Sequence, residues 1–322
     1  MAHLGDVSMI KNEVMISLMN EITKVVKGKE EVIEKVMMAI FASGHILLED
    51  VPGLGKTTLA MAFSNALGLE NKRIQFTPDT MPSDIIGTTF YDESTNSFSY
   101  MPGAVMCNLL LGDEINRTSA KTQSALLEAM AEGKVTVDGE RHMLPNPFIV
   151  IATQNPVTSS GTQPLPDSQL DRFMVKLSMG YPDEDAQLEM LKNVDGTDHL
   201  KNIKQIISAE DVIRIRKEVD EVMISDELLK YIIELSANTR DKEDIVLGIS
   251  PRGMIAFMKM AKAKAYFEGR DYVVPDDITA VFSDSCAHRL FLAGRAKRAG
   301  LTSEDVIKDI LNSVKKPELL KG

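Results

Sequence analysis

Tryptophan is missing from this 322-residue chain, aromatic residues reach only 5%, and there are two cysteines and five histidines. Cys107 and Cys286 make no disulfide framework, so the expected compartment is a reducing cytoplasm. The histidines show no ligand spacing and the cysteines stand far apart, which speaks against zinc; His45, opening an apolar strand, reads as a packed or edge residue. No uninterrupted apolar run reaches the roughly 18 residues that a membrane span needs. The opening MAHLGDVSMIKNEV has no basic flank leading into an apolar stretch, so no secretory signal is read. A cationic excess is lacking as well. Against 36 Lys and Arg stand 47 Asp and Glu, and a net charge of −11 argues against a nucleic-acid coat. What is plentiful is ordinary globular material: 44% apolar, 26% charged, with 19 methionines as adaptable core filling. At roughly 100–200 residues per domain, the length suggests two.

A change of pattern at Gly180-Tyr181-Pro182 divides the chain into residues 1–181, with an N-terminal helix, and 182–322. Before it, five short apolar runs alternate with helical stretches: HILLE (45–49), RIQFT (73–77), NLLLGD (108–113), FIVIATQ (148–154) and FMVKLSM (173–179). Such runs read as a five-stranded parallel sheet covered by helices on both faces, an α/β core. After the break everything reads as helical. Ser208 and Thr302 precede amphipathic runs with capping-box-like spacing to Asp211 and Asp305, Ser225 is a candidate cap, and Pro251 suits a first helical turn. Asp138-Gly139, inside KVTVDGERHM (134–143), predicts a two-residue hairpin just before the fourth strand.

Three motifs carry chemistry. Val51-Pro52-Gly53-Leu54-Gly55-Lys56-Thr57-Thr58 follows the first strand and opens a helix. Glycines let backbone N–H groups wrap phosphates at a helix N-terminus, a lysine meets the terminal phosphates, and a hydroxyl serves Mg²⁺. Asp50 stands where this loop usually has glycine, so its carboxylate must point away from the phosphates or be paired. Second, the strand ending in Asp113-Glu114 comes 57 residues after Lys56. Asp113 is then the Mg²⁺ carboxylate and Glu114 sits where water attacks the γ-phosphate. Third, Asn155 ends an apolar strand with an amide able to bond both that water and the γ-phosphate.

Together these residues resemble the AAA+ ATPases, and more narrowly the MoxR family, from about Glu21 to about Leu290. Further stretches carry the likeness: VVKGKEEVIEKV, FTPDTMPSDIIG, LLLGDEINRTSAKTQSALLEAMAEG, LPDSQLDRFMVKLSMGYP and SPRGMIAFMKMAKA. The resemblance implies a P-loop core with an α-helical lid, and ATP and Mg²⁺ as cofactors. Residues 90–105 are similar to the insertion in the second core helix, and the Asp138-Gly139 turn to the pre-sensor hairpin. Arg172 looks like an arginine finger reaching a neighbouring subunit's nucleotide. Arg252 looks like the second sensor, acting in cis or in trans. Val26 and Gly28 resemble the backbone stretch that holds adenine, Tyr181-Pro182 the hinge flanking the base, and Arg117 an interfacial arginine. The implied assembly is a ring, expected to be a hexamer. The implied activity is ATP hydrolysis driving chaperone-like remodelling or activation of a protein client, often one with a von Willebrand factor A domain. A nucleic-acid motor and a metal-chelatase motor subunit, from the same branch, are the alternatives. Against the former, the hairpin carries Lys134 and Arg141 but also Asp138 and Glu140, leaving no basic tip.

Overall fold

The computed structural model describes residues 3–50, 53–155, 165–181, 199–240 and 242–318, together with 184, 187, 188 and 191. Five strands form one parallel sheet: β1 (Ile46–Glu49), β2 (Asn71–Gln75), β5 (Leu109–Asp113), β8 (Ile149–Gln154) and β9 (Val175–Leu177), in the spatial order β2-β5-β8-β1-β9. Four lie within the apolar runs that the sequence marks, and β2 begins two residues ahead of its run and ends inside it. Because successive side chains of a strand point to opposite faces, each run serves two cores. Ile46, Leu48, Leu109, Leu111, Ile149 and Ile151 enter one, whereas Leu47, Leu110, Val150 and Ala152 enter the other.

The first core continues without a break through helices α1 (His3–Thr23), α2 (Glu30–Phe41) and α3 (Lys56–Ala66) into the C-terminal helical region. There Pro251–Phe267 packs against α2, with the rings of Phe41 and Phe267 6.1 Å apart. Ion pairs Lys264–Glu34 and Lys35–Asp284, at 2.8 and 2.9 Å, rim the contact. The Met254, Met258 and Met260 stripe packs on this core, Met260 fully buried.

The second core lies under α4 (Pro82–Ile86) and α5 (Ala120–Glu132) and two antiparallel hairpins. One is β3 (Thr88–Asp92) with β4 (Ser97–Met101), which begins two residues ahead of the expected insertion and otherwise lies in it; the other is β6 (Lys134–Val137) with β7 (Glu140–Met143). The latter turns on Asp138 and Gly139, at φ 47° and 85°, the left-handed pair that a primed turn requires.

Among the described residues, the C-terminal region departs from an all-helical reading in an isolated parallel bridge, Met223 with Tyr272, and in one short ribbon. Ile245–Leu247 pairs antiparallel with Phe291–Leu292. Segments of three and two residues carry no readable period, and only the folding back of distant chain creates them. The caps, in contrast, are local and stand as read: Ser208, Ser225 and Thr302 each accept an N–H of their own helix.

Candidate functional site

In a parallel α/β sheet, ligands bind outside the carboxyl ends of the strands. At the carboxyl end of β1, Gly53 and Gly55 adopt φ of 89° and 82°, which favours glycine. A Cβ built at either would meet no atom within 4 Å, so the space over the loop stays open. Gly55 leads into α3, whose first residues are Lys56, Thr57 and Thr58. Lys56 Nζ donates to the Asp50 carbonyl at 2.7 Å. Burial pulls this ammonium below its ordinary pKa, while Asp50, Asp113 and Glu114 act the other way through their charge. The P-loop lysine thus lies within the field of three carboxylates.

Asp50 is paired, as its position demands. Its carboxylate accepts from Ser178 Oγ at 2.7 Å and from the Met179 and Gly180 N–H groups. Buried at 7% exposure, it ties the start of the phosphate loop to the end of β9.

Asp113 and Glu114 close β5. Asp113 Oδ2 accepts from Arg73 Nε at 2.7 Å, and Oδ1 from the Thr153 hydroxyl at 3.4 Å. Glu114 sits in the left-handed region at φ 56°, its N–H bonded to Thr153 Oγ1 at 2.9 Å. Its Oε2 accepts from Arg117 Nη1 at 2.8 Å and from Gln75 Nε2 at 3.1 Å. Asn155 follows β8 at the same edge, its carbonyl accepting from Asn116 Nδ2 at 3.1 Å. Lys56, Thr57, Asp113, Glu114 and Asn155 thus converge on one edge of one sheet. The donor set, two flexible glycines, a helix N-terminus, a lysine, a hydroxyl and a carboxylate, fits a nucleoside triphosphate with Mg²⁺.

Arg172 and Arg252 lie elsewhere. Arg172 precedes β9, and β9 runs parallel to β1, so it stands at the amino edge of the sheet. Its Nη1 donates to the Leu127 carbonyl at 2.8 Å. A cavity of about 210 Å³ at that edge is lined by Arg172 and Arg252 along with Gly44, His45 and Lys259.

The sequence model described as "ATPase family associated with various cellular activities (AAA)" matches residues 45–175, and that of the "AAA lid domain" matches 237–310. Among relatives, Chaperone MoxR1 of Mycobacterium tuberculosis is 36% identical over 93% of this chain and 81% of its own. The protein YeaC of Bacillus subtilis is 47% identical over 92% of both. A crystal structure from Cytophaga hutchinsonii superposes with a TM-score of 0.90 at 40% identity, covering 98% of each chain. The chain belongs to the MoxR family of AAA+ ATPases.

The stretch that in this MoxR-family chain resembles an adenine-holding segment has Val26 buried in the first core and Gly28 at φ 65° in a turn. Lys29 Nζ donates to the Tyr181 carbonyl at 2.7 Å, bringing that stretch against the expected hinge. Pro52 and Pro182 lie outside the described residues. Sequence reasoning did not find Arg73, Gln75 and Thr153, which hold the two acids. A signal existed: β2 exposes alternate polar positions beside β5, and its register sets Gln75 opposite Asp113.

Proposed function

We propose that this MoxR-family chain hydrolyses ATP with Mg²⁺ at the subunit interfaces of a ring, a hexamer, and couples the cycle to remodelling or activation of a protein partner. The observation that carries this reading is the separation of the two arginines from the phosphate loop. One chain offers a phosphate cradle and water-facing acids at the carboxyl edge, but presents Arg172 and Arg252 at the amino edge, on a shared cavity. Such cations serve a neighbour's nucleotide, so both arginines are assigned in trans.

Within the site, backbone N–H groups of the Gly53–Thr58 loop hold phosphate oxygens and Lys56 neutralises the β- and γ-phosphates. Thr57 and Asp113 would hold Mg²⁺, which supplies further neutralisation of the phosphates when bound. Glu114 orients and activates the attacking water, and Asn155 bonds water and γ-phosphate. The neighbour's Arg172 stabilises the leaving charge, a contribution worth roughly 10³–10⁵ in rate when supplied in trans. Val26, Gly28 and Tyr181 flank the base.

A protein client is favoured by the surface of the two hairpins. Phe90, Tyr91, Phe98 and Met101 on β3–β4 and Met143 on β7 are exposed, Phe98 by 75%. Tyr100 stacks on His142 at 3.7 Å and joins the two hairpins that carry these exposed apolar side chains. A von Willebrand factor A-domain protein is the partner we assign to this surface.

The ring reading is tested by mixing. Arg172→Ala subunits should bind ATP yet not turn it over, and should regain activity when mixed with Glu114→Gln subunits, because one mixed interface then joins an intact site to an intact finger. Absence of recovery in mixed rings shown to assemble would refute the trans assignment.

A further inference from the structure

Arg289 is a cation with 3% exposure that the proposed chemistry leaves without a task. Burying a guanidinium is unfavourable unless its charge and all its donors are met. Here they are met mostly by the residues around Arg172. Nε donates to Asp171 Oδ1 at 2.8 Å, Nη2 to the carbonyls of Phe173 and Asp171 at 2.7 and 3.3 Å, and Nη1 to the Met174 carbonyl at 3.2 Å. Nη1 also reaches the Ser285 carbonyl and His288 Nε2 on its own side. The peptide path on both sides of Arg172 is therefore pinned by one side chain from the helical region.

The other carboxylate oxygen of Asp171 points to the second arginine. Asp171 Oδ2 accepts from Ser250 Oγ at 2.8 Å. That same Oγ accepts the Gly253 N–H at 3.0 Å and so caps the helix whose second residue is Arg252. Gly253 completes the arrangement, since a Cβ there would stand 2.6 Å from Arg289 Cδ. One carboxylate, next in sequence to Arg172, thus holds the start of the Arg252 helix as well.

We propose that Asp171, clamped by Arg289 and bonded to Ser250, is a positioning residue that yokes Arg172 and Arg252 into one unit aimed at the neighbouring subunit. The inference rests on the trans reading above. Asp171 touches no nucleotide; it sets the direction of two groups that do. A misplacement of about 1 Å can lower a rate roughly 10²-fold. Asp171→Asn, which removes the charge opposing Arg289, should therefore lower turnover by about 10- to 100-fold. The affinity of an isolated subunit for ATP should be unchanged, because its own phosphate loop is at the opposite edge of the sheet.

Complementation separates positioning from a general structural role. Asp171→Asn should recover activity when mixed with Glu114→Gln and show no recovery with Arg172→Ala, since both members of that pair lack a working finger. Wild-type turnover by Asp171→Asn, or recovery when it is mixed with Arg172→Ala, would overturn the proposal. If the control pair, Arg172→Ala with Glu114→Gln, fails to recover in assembled rings, the trans reading itself falls and takes the yoke with it. Should Asp171→Asn not fold, Ser250 decides. Ser250→Asp keeps a helix cap but sets like charge against Asp171, whereas Ser250→Asn keeps both cap and donor. Loss of turnover in the first, with the finger-type complementation pattern, and retention in the second is the expected result; equal turnover in the two refutes the yoke.

Discussion

Lys56 and Glu114 show how much a residue's neighbours decide. The Lys56 ammonium rests on the Asp50 carbonyl within the field of Asp50, Asp113 and Glu114, a place where phosphate would replace a weak partner by a strong one. Lys56→Ala should abolish tight ATP binding, and unchanged affinity by calorimetry would refute the phosphate-loop assignment. Glu114→Gln keeps the shape that Gln75 and Arg117 hold but removes the charge proposed above to activate water. Binding should persist while turnover falls at least about 10²-fold in a steady-state assay. His45 gives a pH dependence. Its Nδ1 accepts the Val150 N–H at 3.0 Å, so Nε2 is the donor to the Met130 carbonyl at 3.2 Å and the ring is neutral. Burial pushes its pKa down to about 4, with nearby Arg216 acting in the same direction and the Met130 bond opposing. The unfolded chain takes up this proton below about 6.5 and the folded chain does not, so stability is full above that pH and falls as pH drops towards 4. Buried His288, also held low by burial and by Arg289, adds a loss of the same sign. The thermal midpoint should decline between pH 7 and pH 5, the upper part of that window, and decline less in His45→Asn. Identical slopes would remove His45 from the explanation.

At the scale of elements, short-range chemistry set the ends of helices and turns. Ser208 Oγ accepts the Asp211 N–H, and Asp211 returns a bond to the Ser208 N–H, a closed box that needs only four consecutive residues. Ser208→Ala should cost about 1 kcal/mol of stability in denaturant titration, with ATP affinity unchanged. The same locality made the Asp138-Gly139 hairpin readable. The ribbon of Ile245–Leu247 with Phe291–Leu292 was not readable, because its strands are too short for a period and its partner is remote. Its job is visible only in place: it follows the chain on from Arg289 and lies beside the segment that leads into Ser250 and Arg252.

For the whole molecule, one continuous core joins the α/β sheet to the helical region, so the two edges of the sheet have fixed relations to the lid. On the reading proposed above, nucleotide chemistry falls on one side of the sheet and the arginines on the other, a division that a ring would resolve. No helix of the described residues is long and apolar enough to cross a membrane. With a net charge of −11 and a hairpin face of aromatic and Met side chains, binding to single- or double-stranded DNA at physiological salt should be weak. Capture with Glu114→Gln and ATP, compared with ADP, should instead enrich a von Willebrand factor A-type protein. DNA-stimulated ATPase activity with a steep salt slope and no such enrichment would favour a nucleic-acid motor.

From sequence alone came the five strands, the phosphate loop, the acid pair, the helix caps and the hairpin turn. Each rests on periodicity or on contacts within a few residues, and short spacing carries that information in one dimension. The chain's need to pair Asp50 was readable too, but not its partners. Tertiary structure decided that Ser178, Met179 and Gly180 take that carboxylate, and that Arg73 and Gln75 reach the acids of β5. It also decided that Arg172 and Arg252 share a cavity and that Arg289 is buried behind them. These facts depend on strand order and on how the helical region packs, which bring together groups from 39 to 130 residues apart. No local pattern encodes such a meeting, because the free energy that holds it belongs to the assembled core rather than to any one segment.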